Sequence, residues 1–176
     1  MQIISGAFRG RKLNLPRDAR PTQNRARIAL FNMIISIGVR PALVWDAFAG
    51  SGAFGIECLS RWSDAHATFT DLKPDTVKRN LNLVGADARA TVYAADALAR
   101  AAAIGAVADL IFIDPPYADA NLGVALMRKL GNVARAGTIV VWEQDAENFT
   151  APVSDAWEIL RDKQYGRARF LILRRN

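Results

Sequence analysis

Apolar positions along this chain follow two alternating periods. Between positions 26 and 37 they fall at Ala26, Ala29, Leu30, Met33, Ile34 and Ile37, the i, i+3, i+4 spacing of one helix face. Thr22 stands where the N-cap of that helix belongs, and Gly38 and Pro41 stop it. Upstream, residues 2–8 and 11–15 are extended candidates on either side of Arg9-Gly10, which predicts a basic β-hairpin. From Ala42 onward the period shortens. Leu43-Val44-Trp45, Ala67-Thr68-Phe69, Thr91-Val92-Tyr93, Leu110-Ile111-Phe112-Ile113 and Thr138-Ile139-Val140-Val141 are strand-length runs, separated by helix-length stretches near 53–60, 74–84 and 119–130. Such alternation predicts an α/β fold, a doubly wound and mostly parallel sheet covered by helices on both faces. Residues 157–164 and 167–173 flank Tyr165-Gly166 and predict a closing antiparallel hairpin, making seven strands.

Composition bounds the chain. At 176 residues, against the ~150 of a common domain, it reads as one compact unit with a short appendage, and a shift in charge suggests the division 1–40 and 41–176. The uncharged apolar stretch from Ala101 ends at Asp109, far short of the ~18 residues a bilayer requires, so no membrane span is expected. No basic and then apolar leader opens the sequence, so a cytoplasmic protein is expected. Cys58 is the single cysteine and His66 the single histidine, which excludes an internal disulfide, a multi-thiolate metal site and an imidazole cluster. Cys58 reads as a small buried hydrophobe, and His66, beside Asp64 at a strand entrance, as a surface loop residue. Any enzymatic chemistry is therefore expected to run without metal, thiolate or imidazole.

The net charge of +6 is unevenly distributed: +7 over residues 1–40, −6 over 41–158 and +5 over 159–176. Two basic ends around an acidic middle suit a phosphate polyanion, and the dominance of Arg over Lys in both suits planar, bidentate contacts.

The acidic middle carries the chemistry. Asp46, Asp71, Asp96 and Asp114 sit at or just beyond four of the five apolar runs, at the strand ends where open α/β sheets bind ligands. Asp46-Ala47-Phe48-Ala49-Gly50-Ser51-Gly52-Ala53-Phe54-Gly55 is a glycine turn leading into a helix, and Asp71 follows at the distance of a ribose-binding acid. To this point the loop would suit NAD or another adenosine-containing cofactor. Asp114-Pro115-Pro116-Tyr117 changes the picture. Two prolines stiffen a turn and leave its carbonyls as acceptors. A carboxylate on one side and an aromatic ring on the other make a slot for a flat base bearing an exocyclic amine. Asp114 and the Pro115 carbonyl would draw the amine hydrogens out of plane and aim its lone pair at an electrophile, while Tyr117 stacks on the ring.

These two motifs together resemble those of the class I S-adenosylmethionine-dependent amino-methyltransferases, which are Rossmann-like. Arg9-Gly10-Arg11-Lys12-Leu13, Arg20-Pro21-Thr22 before Arg25, and Lys163-Gln164-Tyr165-Gly166 are similar to segments of the bacterial 16S ribosomal RNA guanine-N2 methyltransferase family, RsmD. Asn24 departs from the acid expected there. The resemblance implies S-adenosylmethionine as cofactor, with its methionyl part over Phe48, Ala49, Gly50, Ser51 and Gly52 near Asp46. It further implies Asp71 on the ribose, Leu72 against adenine, and Asp96 with Ala97 at the adenine amine; Asp96 as a plain helix cap is the alternative. Asp114, Pro115, Pro116 and Tyr117 would be catalytic. Arg9, Arg11, Lys12, Arg20, Thr22, Arg25, Tyr165 and Arg167 would meet RNA, as naked ribosomal RNA or an assembling small subunit, with the protein a monomer. The alternatives are a DNA adenine-N6 or cytosine-N4 methyltransferase and, more remotely, an NAD-dependent oxidoreductase.

Overall fold

The computed structural model describes residues 1–16, 24–116, 119–151 and 154–176. Five strands run parallel in the order β3 (Ala90–Ala94), β2 (His66–Asp71), β1 (Leu43–Asp46), β4 (Leu110–Ile113), β5 (Ile139–Asp145), and the sheet continues antiparallel through β7 (Ala168–Arg175) to β6 (Trp157–Tyr165). The predicted hairpin is present, with β7 placed inside β6. Among the described residues α1 (Asn24–Ser36) precedes the sheet, and four helices cross between its parallel strands: α2 (Ala53–Arg61), α3 (Asp75–Val84), α4 (Ala97–Gly105) and α5 (Ala120–Val133).

The apolar runs of the central strands bury both faces, as a parallel sheet under helices requires. On one face Val44, Phe69, Phe112 and Ile172 pack beneath α1, α2 and α3; on the other Trp45, Ile113, Trp142 and Leu171 pack beneath α4 and α5. None of the described helices is long and apolar enough to cross a membrane.

Several expectations are corrected. The N-terminal hairpin is present but shorter than expected: Gln2 and Lys12 form an antiparallel bridge, flanked by bonds from the Ile3 amide to the Arg11 carbonyl at 2.9 Å, Gly10 to Ile3 at 3.0 Å and Leu13 to Met1 at 2.7 Å, while residues 4–8 turn away from it. The reason lies in α2: buried Glu57 accepts from the Ile4 amide at 2.7 Å and the Ser5 amide at 3.0 Å, and Ser60 takes the Phe8 amide on its Oγ at 2.9 Å. The Ile4, Ser5 and Phe8 amides, which would have extended the ladder, are captured by the helix beside it. Ile3, Leu13, Leu30 and Phe31 join the α2–α3 side of the core, so position 40 marks a change of composition and not a break in packing. The stretch 97–105, too alanine-rich to show a clear face, is the helix α4, and α5 runs on to Val133. His66 opens β2 and bonds Thr91 Oγ1 through Nε2 at 2.9 Å. Cys58 is fully buried. The expected N-cap, Thr22, lies outside the described residues.

Candidate active site

Strand ends and the loops after them enclose a cavity of about 980 Å³ at the carboxyl edge of the parallel strands, at the upper end of the roughly 300–1,000 Å³ of small-molecule sites. Phe48, Ala49, Gly50 and Ser51 line it from the loop after β1, Asp71 and Leu72 from the end of β2, Asp96 and Ala97 from the start of α4, and Asp114, Pro115 and Pro116 from the end of β4. Four loops that are distant in sequence thus meet because β3, β2, β1 and β4 are successive neighbours in the sheet.

The glycine turn is held from several sides. The Ala49 amide donates to the Thr70 carbonyl at 2.9 Å, and Gly50 donates to Asp71 Oδ2 at 2.7 Å. Gly50 is in the left-handed region, φ 53°, and a Cβ there would meet open space, so its backbone faces the cavity bare. A Cβ at Gly55 would collide with the Phe69 ring, which explains how closely α2 sits on the sheet. Thr70 and Asn80, both fully buried, were not singled out from sequence. Thr70 Oγ1 donates to the Ala47 carbonyl at 2.6 Å. Asn80 donates to Ser51 O at 2.8 Å and accepts from the Asn14 amide at 2.9 Å, tying the turn to the N-terminal segment. Their signal is only visible once the sheet is assembled.

The acids differ in state. Asp46 is 2% exposed and accepts from the Gly55 amide at 3.1 Å. Burial, followed by the charges of Asp114 and Asp71, pushes its carboxyl up to about 8 despite that bond. Burial likewise pushes Asp114 up to about 7. Asp71 gives one oxygen to Gly50 and the other to the Lys73 amide at 2.8 Å, yet each carboxylate oxygen keeps a second lone pair toward the cavity. Leu72 is 76% exposed, an apolar surface projecting beside it. Asp96 does cap α4, through Oδ1 to the Leu98 amide at 2.8 Å, and lines the cavity as well. In the proline turn, the Pro116 carbonyl accepts from the Asp119 amide at 2.8 Å. Tyr117 lies outside the described residues.

Those of the expected RNA contacts that lie among the described residues do not line this cavity. Arg9, Arg11, Lys12 and Arg25 are exposed at the N-terminal side, with Arg11 reaching the Leu83 carbonyl at 3.2 Å. Tyr165 is half-buried against Phe170, and Arg167 forms a two-bond fork on Asp145 at 3.1 and 2.7 Å. Arg169 and Arg174 are paired in the same way with Asp162 and Glu158. Much of the C-terminal positive charge is thereby neutralised across the hairpin. Arg20 and Thr22 lie outside the described residues. The cavity also exposes residues that sequence reading did not single out: Arg27 and Phe31 of α1, Phe54 of α2, Phe112 of β4 and Glu143 of β5. Phe31, Phe54 and Phe112 stack in a row, with centroids 5.2 and 4.2 Å apart.

The model of the family described as Conserved hypothetical protein 95 matches residues 1–174. Ribosomal RNA small subunit methyltransferase D of Escherichia coli strain K12 is 33% identical over 183 residues, covering 99% of this chain and 90% of that one. The solved Escherichia coli chain yhhF superimposes with a TM-score of 0.83 at 30% identity, covering 100% of this chain and 98% of its own. An O-methyltransferase of neocarzinostatin biosynthesis, solved with S-adenosylmethionine, shares the fold alone, at 15% identity and a TM-score of 0.60 over 77% of this chain and 49% of its own. With the glycine turn, the acids and the double-proline corner opening on one cavity of a seven-stranded methyltransferase sheet, the chain belongs to the Conserved hypothetical protein 95 family, that of the small-subunit ribosomal RNA methyltransferases D.

Proposed function

We propose that this protein transfers a methyl group from S-adenosylmethionine to the exocyclic N2 amine of a guanine in the 16S ribosomal RNA of the small subunit, in the bacterial cytoplasm. One observation carries the reading: Asp114, heading the double-proline corner, opens into the same cavity as the glycine turn, Asp71 and Asp96.

The residues present suit the cofactor. Asp71 accepts from a ribose diol, Leu72 covers a flat purine, Asp96 at the start of α4 accepts from an adenine amine beside Ala97, and the bare backbone from Phe48 to Gly52 lets a methionyl group lie close over Asp46. When bound, S-adenosylmethionine supplies a methyl group on a positively charged sulfur. Everything else falls to this chain. Asp114 and the Pro115 carbonyl accept the two hydrogens of the guanine amine, which weakens its conjugation with the ring and fixes its lone pair toward the glycine turn. Pro116 stiffens the corner and Tyr117 stacks on the base. The target must leave its helix to enter, since a paired amine cannot reach the cavity. Methylation makes the amine nitrogen cationic, and the ionised Asp114 carboxylate takes the proton it then sheds. Arg9, Arg11, Lys12, Arg20, Thr22, Arg25, Tyr165 and Arg167 hold the surrounding RNA, the protein acting as a monomer.

Incubating unmethylated small subunits, naked 16S RNA and duplex DNA with the protein and labelled S-adenosylmethionine tests this. N2-methylguanine at one mapped position of the ribosomal RNA is expected. Methylated adenine or cytosine in the DNA would overturn it.

A further inference from the structure

The cavity reaches past the glycine turn and proline corner to a second wall beneath α1. Ile113 pairs with Trp142 in parallel register, so Asp114, the first residue past β4, stands beside Glu143, which is still within β5. Two residues past Phe112 and Val141, they share the face on which those side chains pack, and both line the cavity. Glu143 is 4% exposed and held by an interaction of its own. Across from it Arg27 descends from α1, 5% exposed and close enough for the charge of Glu143 to act on it.

Arg27 is partly explained by structure. Its Nη1 donates to the Gln2 carbonyl at 3.1 Å, and Glu57 stands 3.6 Å from Nη2. The oxygens of Glu57, however, are engaged by the Ile4 and Ser5 amides and by Arg61 Nε at 2.7 Å, and Arg27 Nη2 makes no hydrogen bond. An unsatisfied buried guanidinium donor is costly and rare. Pinning the N-terminal segment accounts for Nη1 but not for the spare donor at the edge of a cavity. Phe31 and Phe54 flank it with flat apolar surface.

Guanine presents three groups in a row along its pairing edge: the O6 acceptor, the N1–H donor and the N2 amine. A guanidinium followed by two adjacent carboxylates is the complement of that row. Adenine offers a bare acceptor at N1 and an amine where guanine has O6, so a carboxylate would face a lone pair and a cation an amine. We infer that Arg27 and Glu143 form the base-reading subsite of this cavity, Glu143 accepting from guanine N1–H and Arg27 donating to O6 while Asp114 holds the amine. This rests on the proposed guanine-N2 methylation and adds the residues that select the base.

The probe is 16S RNA carrying 2-aminopurine at the mapped guanine, which keeps the amine but lacks O6 and N1–H. Wild-type protein is expected to prefer guanine by roughly ten- to a hundredfold, both in kcat/KM and in RNA affinity measured without methyl donor, as when a polar site loses its partner groups. Glu143→Gln, isosteric and able to donate to the bare N1, should cut that preference to within about threefold, with S-adenosylmethionine affinity unchanged. Arg27→Lys should shrink the preference less than Arg27→Met. Equal use of guanine and 2-aminopurine by wild type, or an undiminished preference in Glu143→Gln, would overturn the inference and leave guanine methylation standing. Failure of wild type to methylate 16S RNA, both naked and within small subunits, would overturn both.

Discussion

Two ends of neighbouring strands show how one fold treats the same carboxyl group in opposite ways. At the ends of β1 and β4, Asp46 is buried and Asp114 half-buried near it, no basic side chain among the described residues is hydrogen-bonded to either, and desolvation raises them to about 8 and 7. At the end of β5, Asp145 meets the fork of Arg167, and that hydrogen-bonded cation lowers it to about 2. An ion pair is satisfied within the chain. The other pair has no cation to match it among the described residues, a condition that persists where a ligand supplies one. The contrast separates a working edge of the sheet from a structural one.

The largest test removes the working acid. Asp114→Ala should lower turnover by roughly a hundred- to ten-thousandfold, the scale of a lost proton acceptor, while leaving S-adenosylmethionine affinity within about twofold by calorimetry. Equal losses of both would place Asp114 on the cofactor instead. The ionised form is the acceptor, so the wild-type rate should climb as pH rises through about 7. A rate flat between pH 6 and 8 would contradict that role.

Next comes stability. Native Asp46 keeps its proton up to about 8, whereas the unfolded chain releases it near 3.8. The native state binds the extra proton across that window, so this group's contribution falls as pH rises through it. Asp46→Asn, which still accepts from Gly55, should therefore stabilise the protein, more at pH 8 than at pH 5 and on the order of a few kcal/mol. An unchanged or lower Tm at pH 8 would refute the burial argument. Asp145→Asn should behave oppositely. Its carboxyl is lowered in the fold, so its contribution is present above 3.8 and is lost as pH falls toward about 2. The variant should melt below wild type at neutral pH, with the gap closing in acid. The smallest effect is at the surface: Arg9→Ala should reduce the salt dependence of RNA binding by about one unit of slope. The same change for Arg167, already occupied by Asp145, should be smaller.

The strand-end acids were legible because alternating apolar runs announce parallel strands, and such strands put their carboxyl ends on one edge. Asp46, Asp71, Asp96 and Asp114 needed only that inference. The N-terminal hairpin was legible in its base, where residues 1–3 pair with 10–13, but not in its extent, because the amides of Ile4, Ser5 and Phe8 find partners that are not local. Glu57 and Ser60, some fifty positions away, take donors that a hairpin would have used. The basic ends misled in degree: the β6–β7 hairpin pairs Arg169 and Arg174 with acids on the strand beside them, which charge counts along the chain cannot show.

The chain's own order thus determined the doubly wound sheet, the glycine turn and the proline corner, because each is written in residues near one another and governed by backbone geometry. Tertiary structure alone decided that Arg27, Phe31 and Glu143 share a wall with Asp114. That meeting depends on α1 folding over the sheet and on β5 lying beside β4, long-range packing that no local period records.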